Sequence, residues 1–162
     1  MSICENQLLS KLSALLQDTI RDSWNLATTQ HPNEDIYAYI LYTSPLLGYV
    51  VPSFNSLQAL DRVARDEAEK EYLRWSPSEW EYHLENKALF DKVQEVLNEL
   101  NTESYYDDEQ AFERRWQVFV SSLVELDCQG LFGVGKSRSQ LTLNIMCGDL
   151  RRRRRRRSRC SY

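Results

Sequence analysis

The chain is poor in the side chains that build metal sites and disulfide frameworks. Its 162 residues include two histidines, His31 and His83, and four cysteines. Two histidines exclude a three-histidine metal site, and scattered cysteines without a Cys-x-x-Cys pair fit neither a zinc cluster nor a disulfide framework. We therefore expect no metal, no cofactor and reduced, mostly buried thiols. The cysteines are Cys4, Cys128, Cys147 and Cys160.

Long apolar segments are also missing. No stretch approaches the roughly 18 uninterrupted apolar residues that define a candidate membrane span. The first residues lack the basic and then apolar order of a signal peptide. The sequence therefore predicts no membrane association and a cytoplasmic location.

The apolar side chains that are present predict one folded domain. They make up 42% of the 162 residues and include four Trp, nine Tyr and five Phe, which is enough to bury a core. Their spacing predicts an α/β (α+β) fold, with a small antiparallel or mixed sheet of about three to five strands covered by about five helices. Pro52 is expected at a strand edge or exit, because it cannot donate a ladder hydrogen bond. The predicted helices span residues 2–31, 57–68, 76–82, 89–100 and 112–129, and the predicted strands span residues 36–43, 49–51, 72–75 and 141–147.

Charge divides the chain into two parts. Residues 151–162 hold eight of the 20 basic residues and no acid, so residues 1–150 keep 12 basic against 24 acidic residues, a net charge of −12. We assign residues 1–150 to a single globular domain and residues 151–162 to a disordered, arginine-rich tail. The tail is either a native basic arm suited to nucleic acid or a non-native extension, since glutamate codons shifted by one base encode arginine.

Residues 130–137 match the phosphate-binding pattern Gly-x-x-x-x-Gly-Lys-Ser. A P-loop leaves a buried strand and opens a helix, because backbone N–H groups and the N-terminal end of that helix hold the phosphates. Here the preceding segment has the spacing of a long helix, and residues 141–145 alternate like a strand. The sequence therefore favours a helix C-terminus and a turn over a nucleotide site.

Aromatic residues crowd around Pro77. Four of them fall within eleven residues, a density that either packs a strand-to-helix corner or forms the wall of a ligand pocket. His83 follows Glu79 by four residues, so a helix would place the imidazole and the carboxylate on one face. The two groups would then act either as a base with its orienting carboxylate or as a surface pair. The four aromatic residues are Tyr72, Trp75, Trp80 and Tyr82.

Three blocks of the sequence carry a family resemblance: residues 42–44 with 49–52, residues 74–83, and residues 126–138 with the segment Gly-Leu-Phe-Gly-Val-Gly. Over residues 5–150 they resemble the bacterial family called domain of unknown function 4303. In that family the Gly-Leu-Phe-Gly-x-Gly turn joins the last long helix to a closing strand, with an arginine nearby. The resemblance implies a small acidic α/β protein of the kind found beside toxin genes, and it implies no catalytic residue.

The acidic domain and the lack of a catalytic constellation favour a non-catalytic, immunity-like protein that uses an acidic surface to bind a basic partner such as a toxin. Two alternatives stay open. One is a small-ligand binder or enzyme that uses the aromatic corner at residues 75–83, and the other is a nucleic-acid binder that uses residues 151–157. The residues expected at the partner surface are Asp66, Glu67, Asp107, Asp108, Trp75, Trp80, Tyr82 and His83.

Removal of residues 151–162 tests the assignment of the tail. We expect an unchanged melting temperature, because a run of like charges buries no apolar area, whereas retention on heparin should fall sharply. Circular dichroism melting and heparin chromatography of the full and truncated chains measure both effects. A clearly lower melting temperature of the truncated chain would show instead that the tail, which can reach up to roughly 40 Å, docks on the acidic domain.

Overall fold

A computed structural model describes residues 3–101 and 108–148. These residues form six α-helices, four β-strands and two 3₁₀ turns. The helices are α1 (Ile3–Gln30), α2 (Leu57–Val63), α3 (Glu67–Arg74), α4 (Asp91–Leu100), α5 (Glu109–Cys128) and α6 (Gly135–Ser139). The strands are β1 (Ile36–Thr43), β2 (Val50–Ser56), β3 (Tyr82–His83) and β4 (Thr142–Cys147), and the 3₁₀ turns cover Pro77–Glu79 and Lys87–Phe90.

The four strands form one mixed sheet in the order β3-β2-β1-β4. β1 pairs antiparallel with β2 and parallel with β4, and β2 pairs antiparallel with β3. Helices cover both faces of this sheet. The predicted α/β (α+β) fold class, a single domain with a small mixed sheet and covering helices, is therefore confirmed.

Both faces of the central strand β1 are buried. Tyr39 and Leu41 belong to the larger core cluster, whereas Ala38 and Ile40 belong to the smaller one. A β-bulge near the start of β1 shifts its register against β2. The extra residue explains why Tyr37 joins the same core as Ala38 instead of alternating with it.

Three helices form a layer on the face of the larger core, which we call the first face. α1 contacts both α4 and α5 and lies between them. Gln17 donates to Glu125 at 3.0 Å, and one turn later Arg21 donates to Gln129 at 2.9 Å. These contacts show that α1 and α5 run in the same direction. No helix in the described ranges combines the length and the apolar character that crossing a bilayer requires. The buried residues that α1 contributes at helical spacing are Leu12, Leu16, Ile20 and Ala27.

The second face of the sheet carries the smaller core. α2, α3 and the first 3₁₀ turn cover it, and Leu60, Leu73 and Trp80 pack there with Ile40. These two helices are short, so part of the second face near β4 is only half-buried. The aromatic corner predicted at residues 75–83 begins at the C-terminal end of α3 and ends in β3.

The single helix predicted at residues 57–68 is divided into α2 and α3. The backbone is extended at Ala64, and Asp66 then starts α3 by accepting the backbone N–H of Glu69 at 2.8 Å. An N-cap carboxylate at this position favours a new helix start. α3 continues through most of residues 72–75, so the strand predicted there is wrong.

The helix predicted at residues 76–82 is also wrong. Ser76 makes no side-chain capping bond, and only a 3₁₀ turn forms. Trp80 enters the smaller core, where its indole N–H donates to the carbonyl of Leu73 at 2.8 Å. The chain then extends and pairs with β2 as β3. The packing of one tryptophan therefore overrides the local helix signals.

Pro52 lies inside β2, not at the predicted edge or exit. Its carbonyl accepts the N–H of Leu84 at 3.3 Å and therefore faces the side of β3. The nitrogen and the carbonyl of one strand residue face the same side, so Pro52 requires no acceptor from β1. β3 pairs only with Ser53 and Phe54, which leaves the proline nitrogen beyond the end of that ladder.

The thiols are more exposed than predicted. Cys4 and Cys128 are exposed, and Cys147 is half-buried. The expectation of mostly buried thiols is wrong for these residues, because Cys4 and Cys128 lie in the end turns of α1 and α5 and face solvent. Cys160 lies outside the described residues.

Arg115 of α5 is buried, with 2% of its surface exposed. Its guanidinium donates to the carbonyl of Leu100 at 2.8 Å, to the side-chain oxygen of Asn101 at 2.7 Å and to the carbonyl of Leu47 at 3.3 Å. One side chain thus satisfies an orphan carbonyl at the end of α4 and joins two helices to the β1–β2 connection.

Replacement of Arg115 by methionine tests this link. We expect Arg115→Met to lower the free energy of unfolding by at least about 3 kcal/mol, because it leaves several buried acceptors without a donor. Lys92→Met is the matched control, since Lys92 is exposed on α4 and its loss should change stability by at most about 0.5 kcal/mol. Urea unfolding of the three proteins gives the values. Equal effects of the two substitutions would contradict the structural role of Arg115.

Candidate functional site

The predicted acidic residues Asp66 and Glu67 lie at the start of α3, beside the second face of the sheet. Asp66 is exposed, but its carboxylate serves as the N-cap of the helix. The side chain of Glu67 is 94% exposed and lies 4.0 Å from the ammonium group of Lys70. Of the two carboxylates, that of Glu67 is the freer to meet a partner.

Asp108 lies at the start of α5 and also acts as an N-cap. Its carboxylate accepts the N–H groups of Gln110 at 2.9 Å and Ala111 at 3.0 Å. These bonds, first the one from Ala111, lower the pKa of Asp108. Because α5 covers the first face, Asp108 and Glu67 lie on opposite sides of the sheet. Asp107 lies outside the described residues.

Trp80 and Tyr82 are core residues, each 5% exposed, and they lie on opposite faces of the sheet. The ring of Tyr82 stacks on Phe54 at 4.9 Å and lies 4.3 Å from His31, while its hydroxyl accepts from Arg62 at 2.7 Å. Truncation of either aromatic residue to alanine would cost roughly 3–5 kcal/mol of stability. Such variants would report on folding before they report on partner binding.

Trp75 and Tyr72 are the accessible aromatic residues of the corner, with 51% and 61% of their surfaces exposed. Trp75 packs edge-on against Tyr37 at 6.2 Å between ring centroids. The hydroxyl of Tyr72 donates to Glu79 at 2.9 Å. A partner at this corner would therefore meet Trp75 and Tyr72 first, above the buried Trp80.

His83 is half-buried on the second face and takes part in no carboxylate pair in the described residues. Its Nδ1 lies 3.1 Å from the hydroxyl of Ser53, and its ring meets Tyr42 edge-on at 5.0 Å. Burial lowers the pKa of His83, which favours the neutral ring. The predicted pairing of His83 with Glu79 on one helical face is wrong, because Glu79 ends a 3₁₀ turn and His83 belongs to β3.

A broader acidic surface, which we call the acidic helical face, lies on the exposed side of the layer formed by α4, α1 and α5. It holds eight exposed carboxylates and two exposed lysines, Lys11 and Lys92. Within the described residues, one of these carboxylates forms an ion pair: that of Glu99 lies 3.8 Å from the ammonium group of Lys11. Sequence reasoning missed this face because its acids are spread over three helices. They are Asp18, Asp22, Asp91, Glu95, Glu99, Glu109, Glu113 and Glu125.

The Gly-Leu-Phe-Gly turn ends α5. Gly130 has a φ of 79°, its N–H donates to the carbonyl of Asp127 at 2.9 Å, and the N–H of Leu131 donates to Leu126 at 3.1 Å. This pair of bonds is a Schellman helix end, which favours glycine at the left-handed position. The N–H of Gly133 donates to the carbonyl of Gly130 at 3.1 Å. The turn therefore uses these donors internally, where a P-loop would offer them to phosphates.

Arg138 of α6 fixes the turn against β4. Its guanidinium donates to both carboxylate oxygens of Asp127, with Nη2 and Oδ2 2.8 Å apart, and to the carbonyl of Leu141 at 2.6 Å. The hydrogen bond from Arg138 lowers the pKa of Asp127. The arginine expected beside this turn is therefore present and has a structural contact at the helix-to-strand connection.

A cleft of about 820 Å³ lies beside the same turn. Its lining includes Trp24, His31, Asp35, Arg74 and Phe132, and none of the residues predicted for the partner surface. These side chains come from distant parts of the chain and carry no shared motif, so no local pattern predicts the cleft.

The fold defines a single α+β domain in which a four-stranded mixed sheet carries helices on both faces. Residues 16–158 match the family described as a domain of unknown function (DUF4303), and the chain belongs to that family. The predicted resemblance over residues 5–150 is thus confirmed, with a match that starts later and ends inside the arginine-rich segment. Searches of curated proteins and of solved structures found no significant match.

The helix end at Gly130 generates a prediction for nucleotides. We expect no binding of ATP or GTP with a dissociation constant in the micromolar range, because the C-terminus of α5 presents carbonyls and the N–H groups of Gly130, Leu131 and Gly133 donate within the turn. Isothermal titration calorimetry of the full chain with each nucleotide and magnesium measures this. Micromolar binding that Lys136→Ala abolishes would contradict it.

Proposed function

We propose that this protein acts without catalysis and binds a basic protein partner through the acidic helical face, as an immunity-like protein in a bacterial cytoplasm binds a cationic toxin. The net charge of −12 over residues 1–150 supports the sign of the partner. A field of this size raises the association rate with a cationic surface and steers its orientation.

The spacing of the exposed acids carries the proposal. Asp18 and Asp22 are four residues apart on α1, and Asp91, Glu95 and Glu99 repeat at the same spacing on α4. Like charges at this spacing destabilise a helix by about 0.2–0.5 kcal/mol for each pair. A cationic partner would relieve this repulsion.

Five of the residues predicted for the partner surface fall into two groups relative to this face. Asp108 adjoins it at the N-terminal end of α5, and Asp107 precedes Asp108 in the sequence. Asp66, Glu67 and Trp75 lie beside the second face of the sheet. A partner that covers the acidic helical face would therefore contact Asp108, whereas Asp66, Glu67 and Trp75 would form a separate surface.

The alternative, a ligand site formed by the side chains of residues 75–83, has less support than the acidic helical face. Tyr82 faces the first side of the sheet, whereas Trp80 and His83 face the second. The nucleic-acid alternative rests on residues 151–157, which lie outside the described residues.

Charge reversal on two surfaces tests the proposal. The pair Asp18→Lys and Asp22→Lys alters the acidic helical face, and the pair Glu67→Lys and Glu71→Lys makes the same charge change at the same spacing on α3. We expect the first pair to slow association with the basic partner at least about tenfold and to change dissociation little, because steering acts on the encounter. The α3 pair should have a smaller effect.

The partner is first captured from the source cells with residues 1–150 at low salt and identified by mass spectrometry, and its association and dissociation are then followed by stopped flow at several salt concentrations. Circular dichroism melting of each variant controls for folding. Capture of no basic protein, or of a partner whose association ignores salt and both substitution pairs, would contradict the proposal.

A further inference from the structure

The cleft of about 820 Å³ lies at the end of the sheet where β1 and β4 begin. Its walls come from the C-terminal part of α1, the turn that follows it, the end of α3 and the Gly-Leu-Phe-Gly turn. The volume falls in the range of roughly 300–1,000 Å³ that small-molecule sites occupy. No residue of the acidic helical face lines the cleft, so it is a separate site.

Aromatic side chains form the apolar part of its wall. Trp24 meets Phe132 edge-on at 5.3 Å between ring centroids. Tyr37 is held in place because its hydroxyl donates to the carbonyl of Arg74 at 2.9 Å and accepts from the amide of Asn55 at 3.1 Å. Phe132 and Tyr37 are 3% and 7% exposed, so this wall is formed in advance of any ligand.

Two titratable side chains of the lining are already engaged within the protein. The carboxylate of Glu34 lies 2.8 Å from the guanidinium of Arg62 and also accepts the hydroxyl of Ser56. The imidazole of His31 lies 2.7 Å from the carboxylate of Glu85. Neither Glu34 nor His31 is therefore positioned to hold a ligand by charge.

The other two charged side chains of the lining keep free capacity. The guanidinium carbon of Arg74 lies 5.3 Å from the centroid of the Tyr37 ring, and this arginine makes no ion pair within the described residues. One carboxylate oxygen of Asp35 accepts the amide of Gln58 at 2.8 Å, and the other has no hydrogen bond within the described residues. Arg74 and Asp35 do not pair with each other, so the cleft offers one positive and one negative group.

We propose that this cleft binds a small zwitterion with an apolar side chain, the chemistry of an α-amino acid. The ligand carboxylate pairs with Arg74, whose planar guanidinium lies over the Tyr37 ring and can present two parallel donors. The ligand ammonium pairs with Asp35, and the side chain lies against Trp24 and Phe132. A simple anion would be repelled by Asp35 and would leave it without a partner. A simple cation would likewise be repelled by Arg74 and would leave it without a partner.

Three probes separate these contacts in calorimetric titrations of the full chain. L-Phenylalanine carries both charges, phenylpropionate lacks the ammonium group, and phenethylamine lacks the carboxylate. We expect L-phenylalanine to bind most tightly and each analogue to bind at least about tenfold more weakly, because each leaves one charged group of the cleft unpaired.

Two substitutions assign each charge to its residue. With Arg74→Gln, L-phenylalanine should lose its advantage over phenethylamine, and with Asp35→Asn it should lose its advantage over phenylpropionate. Lys92→Gln and Asp18→Asn are the matched controls, since they remove the same charges at exposed positions outside the cleft and should leave all three affinities unchanged. If Arg74→Gln lowers the melting temperature, Arg74→Lys replaces it and should weaken carboxylate binding while keeping the charge.

Three outcomes would overturn the proposal. One is no saturable binding of L-phenylalanine below about 10 mM. The second is an affinity for phenylpropionate or phenethylamine equal to that for L-phenylalanine. The third is that the cleft variants behave like their controls. None of these results bears on the basic partner of the acidic helical face, because the two sites share no residue.

Discussion

β1 is buried on both faces, and this burial dictates where the helices pack. A strand without a solvent face needs apolar cover on each side, and the three-helix layer and the pair α2 and α3 supply it. The β-bulge then sets Tyr37 on the second face, where its hydroxyl holds the carbonyl of Arg74 at 2.9 Å. The same bulge thereby positions Tyr37 and Arg74, which both line the cleft.

Four arginines of the domain hold separate parts of the fold together. Arg115 is buried against carbonyls, and three more arginines hold carboxylates that join separate parts of the chain. These pairs are Arg62 with Glu34, Arg114 with Glu5 and Arg138 with Asp127. Four of the 12 basic residues in residues 1–150 are engaged in such contacts, while the carboxylates of α1 and α4 remain on the exposed side. The proposed electrostatic steering depends on this separation.

Sequence reasoning succeeded where one local signal and the tertiary packing agree. The apolar stripe of α1, the β-type composition of β1 and the helix end at Gly130 all follow from short-range patterns that the fold retains. It failed at residues 72–82, where Trp80 and Tyr82 enter cores on opposite faces of the sheet. Aromatic density predicts that a corner packs, but it does not say toward which side each ring turns.

Local patterns in the sequence predict the fold class, the family, the charge of the domain and the order of helix and strand that argues against a P-loop, because periodicity and composition are properties of neighbouring residues. They do not predict that Asp66 and Asp108 cap helices on opposite sides of the sheet, that eight carboxylates share the acidic helical face, or that Arg74 and Asp35 line one cleft. Each of these facts joins residues that are distant in the chain. Their proximity depends on which faces of the sheet the helices cover, and local patterns do not encode that choice.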